Sequence, residues 1–228
     1  MRGKHGRWAA AISGALALVW PQASRAQVVE TSIEPAPSDV NWTATAGRTA
    51  GKGNVVLQAE AGWPGIGFTY LKGLDERSDI GVHLGLNYGF EGTTNAVNGV
   101  NVAIPYRRTI ADWGDTTMAF RMEPGISVYG NNGVLFGIGG PLGVVAGFHV
   151  SPPLTLDVGA DIPVLLSFSN PAGFMFGPEV GAGAEYLIDR NFAVTARFRV
   201  GPQFALNSSG TTSQTAFVTL IGLAYNAR

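Results

Sequence analysis

Ten ionisable side chains recur at alternate positions within otherwise apolar runs: Glu60, Arg107, Arg121, Glu123, Asp157, Asp161, Glu179, Glu185, Arg197 and Arg199. Six are carboxylates and four are guanidinium groups, so the first chemistry open to them is mutual ion pairing. A set of both signs could also line a narrow channel. Metal binding fits poorly, because Asp157 and Asp161 share a face but have no third ligand at metal spacing. Covalent catalysis needs a nucleophile and a base at hydrogen-bond range. Beyond residue 26 the only histidines are His83 and His149, which fall on non-adjacent strands, and the expectation is a non-enzymatic protein with no cofactor. Each histidine reads instead as a hydrogen-bonding residue. Glycines follow strand periodicity and build no phosphate loop, and basic residues are dispersed, so no nucleic-acid partner is expected.

These residues must be positioned by strands. In "SDIGVHLGLNYGF" the side chains of Ile80, Val82, Leu84, Leu86, Tyr88 and Phe90 share one face, and Gly81, His83, Gly85, Asn87 and Gly89 the other. The same division recurs in "LTLDVGADIPVLL", in "FAVTARFRVG" and around Phe176 to Tyr186. Ten segments follow it, at about 54–62, 66–72, 79–91, 97–109, 117–129, 133–149, 154–168, 172–187, 191–205 and 213–226; eight strands is the alternative if the short first pair is one interrupted strand. An even count closes an up-and-down sheet. The turn "LIDRN" would set Tyr186 opposite Phe192, and Glu179 then falls directly across from Arg199.

Several segments are more than twice the five or six residues typical of soluble strands. Eleven residues from Ile80 to Phe90, at about 3.3 Å each and a tilt near 40°, span roughly 28 Å, close to the hydrocarbon thickness of a bilayer. Only 14% of the 228 residues are charged, little for a water-facing surface, while 32 are Gly. The apolar face is therefore expected to meet lipid and the Gly-rich polar face a crowded lumen. Tyr70, Tyr88, Phe90, Tyr106, Phe168, Tyr186 and Phe192 fall near segment ends, where aromatic girdles belong. The net charge of −1 supplies no global field, and the absence of Cys excludes disulfides and thiolate chemistry.

The N-terminus supplies an address. Arg2, Lys4 and Arg7 precede the apolar run Trp8 to Trp20, and Ser24-Arg25-Ala26 suits cleavage before Gln27, the pattern of a secretory signal peptide over residues 1–26. Residues 27–53 are polar and rich in Pro, Ser, Thr and Gly, and read as a flexible leader. A tail that threads the barrel is the other reading of this segment. The barrel domain is expected over 54–228.

On "SDIGVHLGLNYGF", "LTLDVGADIPVLL" and "NFAVTARFRVG", together with the exported N-terminus, the chain resembles the small outer-membrane β-barrel proteins of Gram-negative bacteria, the eight- to ten-stranded OmpA-like and porin-like group. The resemblance covers about residues 54–226. It implies an all-β, closed antiparallel transmembrane barrel, located in the outer membrane, with lipid as its surroundings and insertion by the outer-membrane assembly machinery. Such barrels usually end on Phe or Trp, whereas here the nearest aromatic is Tyr225. The expected role is structural or interactive, with the ten charges filling the lumen; a narrow channel for ions or small solutes is the alternative. The competing class, a soluble secreted barrel holding an apolar ligand, would need the apolar face turned inward. Pro105, Pro124, Pro141, Pro163, Pro178 and Pro202 lie inside the expected strands and should kink them, because each removes a ladder donor.

Overall fold

A computed structural model describes residues 40–90, 93–130, 134–169, 172–208 and 210–227, with the backbone alone at 90 and 93–96. The expected signal peptide and residues 27–39 of the leader lie outside the described residues. Among the described residues all regular structure is β.

Thirteen segments compose ten barrel strands. They are β1 (Val55–Trp63), β2 (Gly65–Gly73), β3 (Ser78–Phe90), β4 (Thr93–Ala103), β5 (Tyr106–Asp112), β6 (Thr116–Met122), β7 (Gly125–Gly130), β8 (Val134–Ser151), β9 (Leu154–Ser167), β10 (Gly173–Phe176), β11 (Glu179–Leu187), β12 (Phe192–Asn207) and β13 (Gly210–Ala227). β4 and β5 both pair with β3, β6 and β7 both pair with β8, and β10 and β11 both lie between β9 and β12. Each couple is thus one strand interrupted at an X-Pro step. Every pairing is antiparallel, and β13 returns to β1 from Val55↔Ala227 to Trp63↔Thr219, which closes the sheet. Each of the ten segments expected from the alternation overlaps one barrel strand. β1 and β2 are separate strands, so the eight-stranded alternative falls.

The interruptions share a cause and a level. Ile104 donates to the Pro124 carbonyl, Glu123 to Pro141, and Gly177 to Pro163, while Pro141 and Pro163 are direct partners across β8 and β9. Pro178 and Pro202 continue the line, the Pro202 carbonyl abutting Gly177. Six adjacent strands therefore lose a ladder donor at one height, although the carbonyls of Pro124, Pro141 and Pro163 still accept. Alternation holds its phase through this belt: Val134, Phe136, Ile138, Leu142, Val144 and Phe148 of β8 all point outward. At Gly140, φ is +148° and a Cβ would lie 1.8 Å from the Glu123 carbonyl oxygen, so only glycine fits the bend.

The apolar face is outside. Ile80, Val82, Leu84, Leu86 and Tyr88 are all exposed, Leu84 by 49%, while Asp79 on the opposite face is 0% exposed. Aromatic side chains cluster toward both ends. Trp63 lies edge-on to Tyr88 and stacks with Phe217 at the upper end, where Phe174 also stacks on Phe176, which meets Phe204 at a tilt; Phe192 meets Tyr225 at the lower end. Of the aromatics expected at strand ends, Tyr70, Tyr88, Phe168, Tyr186 and Phe192 are exposed. The Phe90 side chain lies outside the described residues. Tyr106 is a correction: it is half-buried and begins β5, midway along a composite strand beside the proline belt.

The lower end carries Val55, Ala227 and tight turns closed by aspartates. Asp75 Oδ1 accepts from the Arg77 N–H, Asp112 Oδ1 from Gly114, and Asp189 Oδ1 from both Asn191 and Phe192. The Arg77 N–H, then the Ser78 hydroxyl, holds the exposed Asp75 carboxyl below its ordinary range. At Asp189 this tight turn corrects the expected register. Tyr186 pairs with Val194, not Phe192, and Gly181 rather than Glu179 stands opposite Arg199. The shift is two residues, which preserves faces because side chains alternate with period two.

Candidate functional site in the barrel lumen

All ten charged residues singled out in the sequence lie on the inner side, and none is exposed. Glu60, Arg107, Asp157, Asp161, Glu179 and Glu185 are buried; Arg121, Glu123, Arg197 and Arg199 are half-buried. They do not form one network. Their partners divide the lumen into three tiers.

The lower tier is a cork made by the chain itself. Residues 40–50 enter the lumen at the end where both ends of the sheet meet, and nearly all of them are buried. This corrects the expectation of a flexible leader over this stretch. A polar composition argued that the segment could not bury apolar surface, yet its small Thr, Ala and Gly residues need little space and its backbone is satisfied by lumen charges. The Glu185 carboxylate accepts from the Ala44 N–H at 2.8 Å and from the N–H and hydroxyl of Thr45. Arg107 donates to the carbonyls of Thr43, Ala44 and Ala46 at 2.9–3.1 Å. Thr109 donates to the Gly47 carbonyl, and Asp79 accepts both from the Ala50 N–H and from Arg107 at 2.7 Å. Trp42 anchors the entry, its indole N–H reaching the Arg190 carbonyl, and packs with Val40, Val56, Leu71 and Leu187. Arg48 reaches the opposite turn at the Gly114 carbonyl.

The grip falls mainly on backbone groups, so the alternation of the barrel strands does not reveal it. Asp79 was missed because it follows the turn-like "LDERSD", although its parity with His83 and Asn87 places it on the inner face. Trp42, alone among small polar residues, was the remaining clue.

The middle tier is ionic. Asp161 receives Arg121 through both Nε and Nη2, and Arg199 at 3.2 Å; Arg197 pairs with Glu60. Arg199, expected to face Glu179, is therefore drawn to Asp161, one strand further round. His83 hydrogen-bonds Thr69 at 2.8 Å and lies 3.5 Å from Glu123, while His149 hydrogen-bonds Thr155. No group of three or more His, Asp or Glu side chains suited to a metal ion occurs among the described residues.

The upper tier is looser. Asn87 donates to the Tyr129 hydroxyl and Gln214 to its cross-strand partner Gln203, and cavities of about 140 and 120 Å³ lie beside them. The whole defines a closed ten-stranded barrel with an apolar exterior, a charged interior and one end stopped by its own chain. No protein-family model and no curated protein matches the chain.

Proposed function

We propose that the chain is an integral outer-membrane β-barrel protein of the small Gram-negative, OmpA-like kind, exported with a signal peptide over residues 1–26, with a structural or interaction role and no catalytic activity. The carrying observation is the inversion of the barrel: among the described residues forty large apolar side chains are exposed, most of them on the outer face of the strands, while the ten charged residues named above are inside. The largest apolar patch on a soluble monomer usually covers roughly 300–600 Å², and side chains exposed on strands all around the sheet exceed that. A barrel that held an apolar ligand would carry this face inward. Lipid is thus the surrounding partner, and the outer-membrane assembly machinery is the partner for insertion. Fractionation tests this: the protein should stay in the membrane pellet after a high-salt and urea wash, and recovery in the soluble periplasmic fraction without detergent would overturn the reading.

The cork and the ion pairs favour a filled lumen over an open channel. In planar bilayers the purified protein should give no conductance steps; regular steps from the wild type would transfer the assignment to the channel.

A further inference from the structure

We propose that the upper lumen is a binding site for a small organic cation, a primary alkylammonium of about four carbons. The inference is independent of what surrounds the barrel, since it concerns only the interior. The two upper cavities adjoin, sharing Asn101, Tyr129, Pro141 and Arg199 in their walls. At roughly 30 Å³ per water molecule they have room for about four waters each, and so for a solute of a few heavy atoms.

Four buried atoms of the wall residues have no hydrogen-bond partner: Glu60 Oε1, Asn101 Oδ1 and Arg197 Nε in the larger cavity, and Glu179 Oε1, with Asn101 again, in the smaller. Glu179 is only 3% exposed. In the smaller cavity both such atoms are acceptors, so the missing chemistry there is a donor. Charge points the same way. The two cavities together are lined by the carboxylates of Glu60, Glu123 and Glu179 and by the guanidinium groups of Arg197 and Arg199, an excess of one negative charge. Asp161 also engages one of those arginines, Arg199. An ammonium carries three donors and no acceptor, which matches unpaired carboxylate and amide oxygens, and an anion would meet the wrong sign.

The wall next to Glu179 selects an organic cation. Pro163, Val164, Leu165 and Met175 line the smaller cavity beside the carboxylate, an apolar seat for an alkyl chain whose charged head lies at Glu179. A bare metal ion would gain nothing from that seat and lacks a ligand cluster among the described residues.

The test is calorimetric titration of the full-length protein, folded in detergent micelles, with butylammonium chloride, and with sodium butyrate and butanol as probes of equal length. Saturable binding of butylammonium alone is expected. Glu179→Gln should weaken it at least ten-fold. Met175→Lys, which tethers an ammonium in the seat while keeping every carboxylate, should abolish it, so the site remains testable if one variant fails to fold. Absence of saturable butylammonium binding to the folded wild type would mean that water alone fills the cavities and would overturn the proposal. Undiminished binding in folded Glu179→Gln or Met175→Lys protein, or equal binding of butyrate or butanol, would overturn it equally.

Discussion

Replacing Arg107 with Met tests whether the cork is held by the lumen or only rests in it. The substitution keeps most of the side chain's bulk and removes its charge and five donors. Asp79 is fully buried and would keep a single partner, the Ala50 N–H at 3.0 Å. Removing one member of a buried pair costs about 3–5 kcal/mol, because the other charge is left uncompensated. The carbonyls of Thr43, Ala44 and Ala46 lose their donor as well, at about 1–3 kcal/mol each if they stay buried. They need not stay buried: the cork can withdraw into water, which caps the loss near the free energy of its docking. We therefore expect about 4–5 kcal/mol against the corked state, some three powers of ten in the population of the open form. Trypsin reads that population directly, since Arg48 is a cleavage site whose neighbours Gly47 and Thr49 are buried in the lumen, while its own side chain reaches out to the Gly114 carbonyl in an exposed turn. Cleavage after Arg48 should be slow in the wild type and faster by about a thousand-fold in Arg107→Met, under conditions where opening is rapid relative to cutting. Adding Asp79→Asn should restore part of the protection by removing the stranded charge. Equal cleavage rates in wild type and Arg107→Met, with both barrels folded, would refute the view that lumen charges grip the cork.

Other outcomes follow from the same geometry. Leu84→Arg, on the outer face, should destabilise the barrel in lipid vesicles by about 2–4 kcal/mol, and Asn87→Ser on the inner face by much less; urea unfolding that ranks them in reverse order would exchange inside and outside. Asp161→Ala should cost about 3–5 kcal/mol, because Arg121 and Arg199 lose their shared carboxylate, and a loss below about 1 kcal/mol would mean the middle tier is water-filled. A Cβ built at Gly147 lies 3.0 Å from that of Ala46, about 0.5 Å short of the usual disulfide separation, so with a small shift of the cork away from β8 Ala46→Cys with Gly147→Cys should oxidise to a cross-link in this otherwise Cys-free chain. Failure to cross-link in the folded protein would place the cork elsewhere.

The barrel was legible because its signal is repeated. Each strand offers only a period of two, but ten strands in one phase fix the count, the closure and which face carries Leu84 or Asp161. The proline steps were legible as kinks, whereas their alignment at one height depends on registers that no single strand encodes. Register itself was read two residues wrong between β11 and β12, since "LIDRN" does not reveal that the Asp189 carboxylate accepts from Asn191 and Phe192 and so fixes where the turn is centred. The cork escaped because its binding energy lies in backbone groups. Alanine and threonine at 43–50 have nothing distinctive to offer as side chains, and only the closed socket of Glu185, Arg107 and Asp79 gives their amides and carbonyls a place to go.

That socket has a consequence for reversibility. Two of the cork's contacts join residues far apart in the chain, Trp42 to Arg190 and Ala44 to Glu185, so these cannot form before the last strands are in place. Once closure is complete the separation that matters is much shorter: Ala50 ends the cork and Val55 begins the wall. A leash of about five residues holds the local concentration of the segment at its socket in the millimolar range. A cork pulled free therefore returns to its own barrel before it meets another, and a loose peptide with the same sequence competes only at comparable concentration.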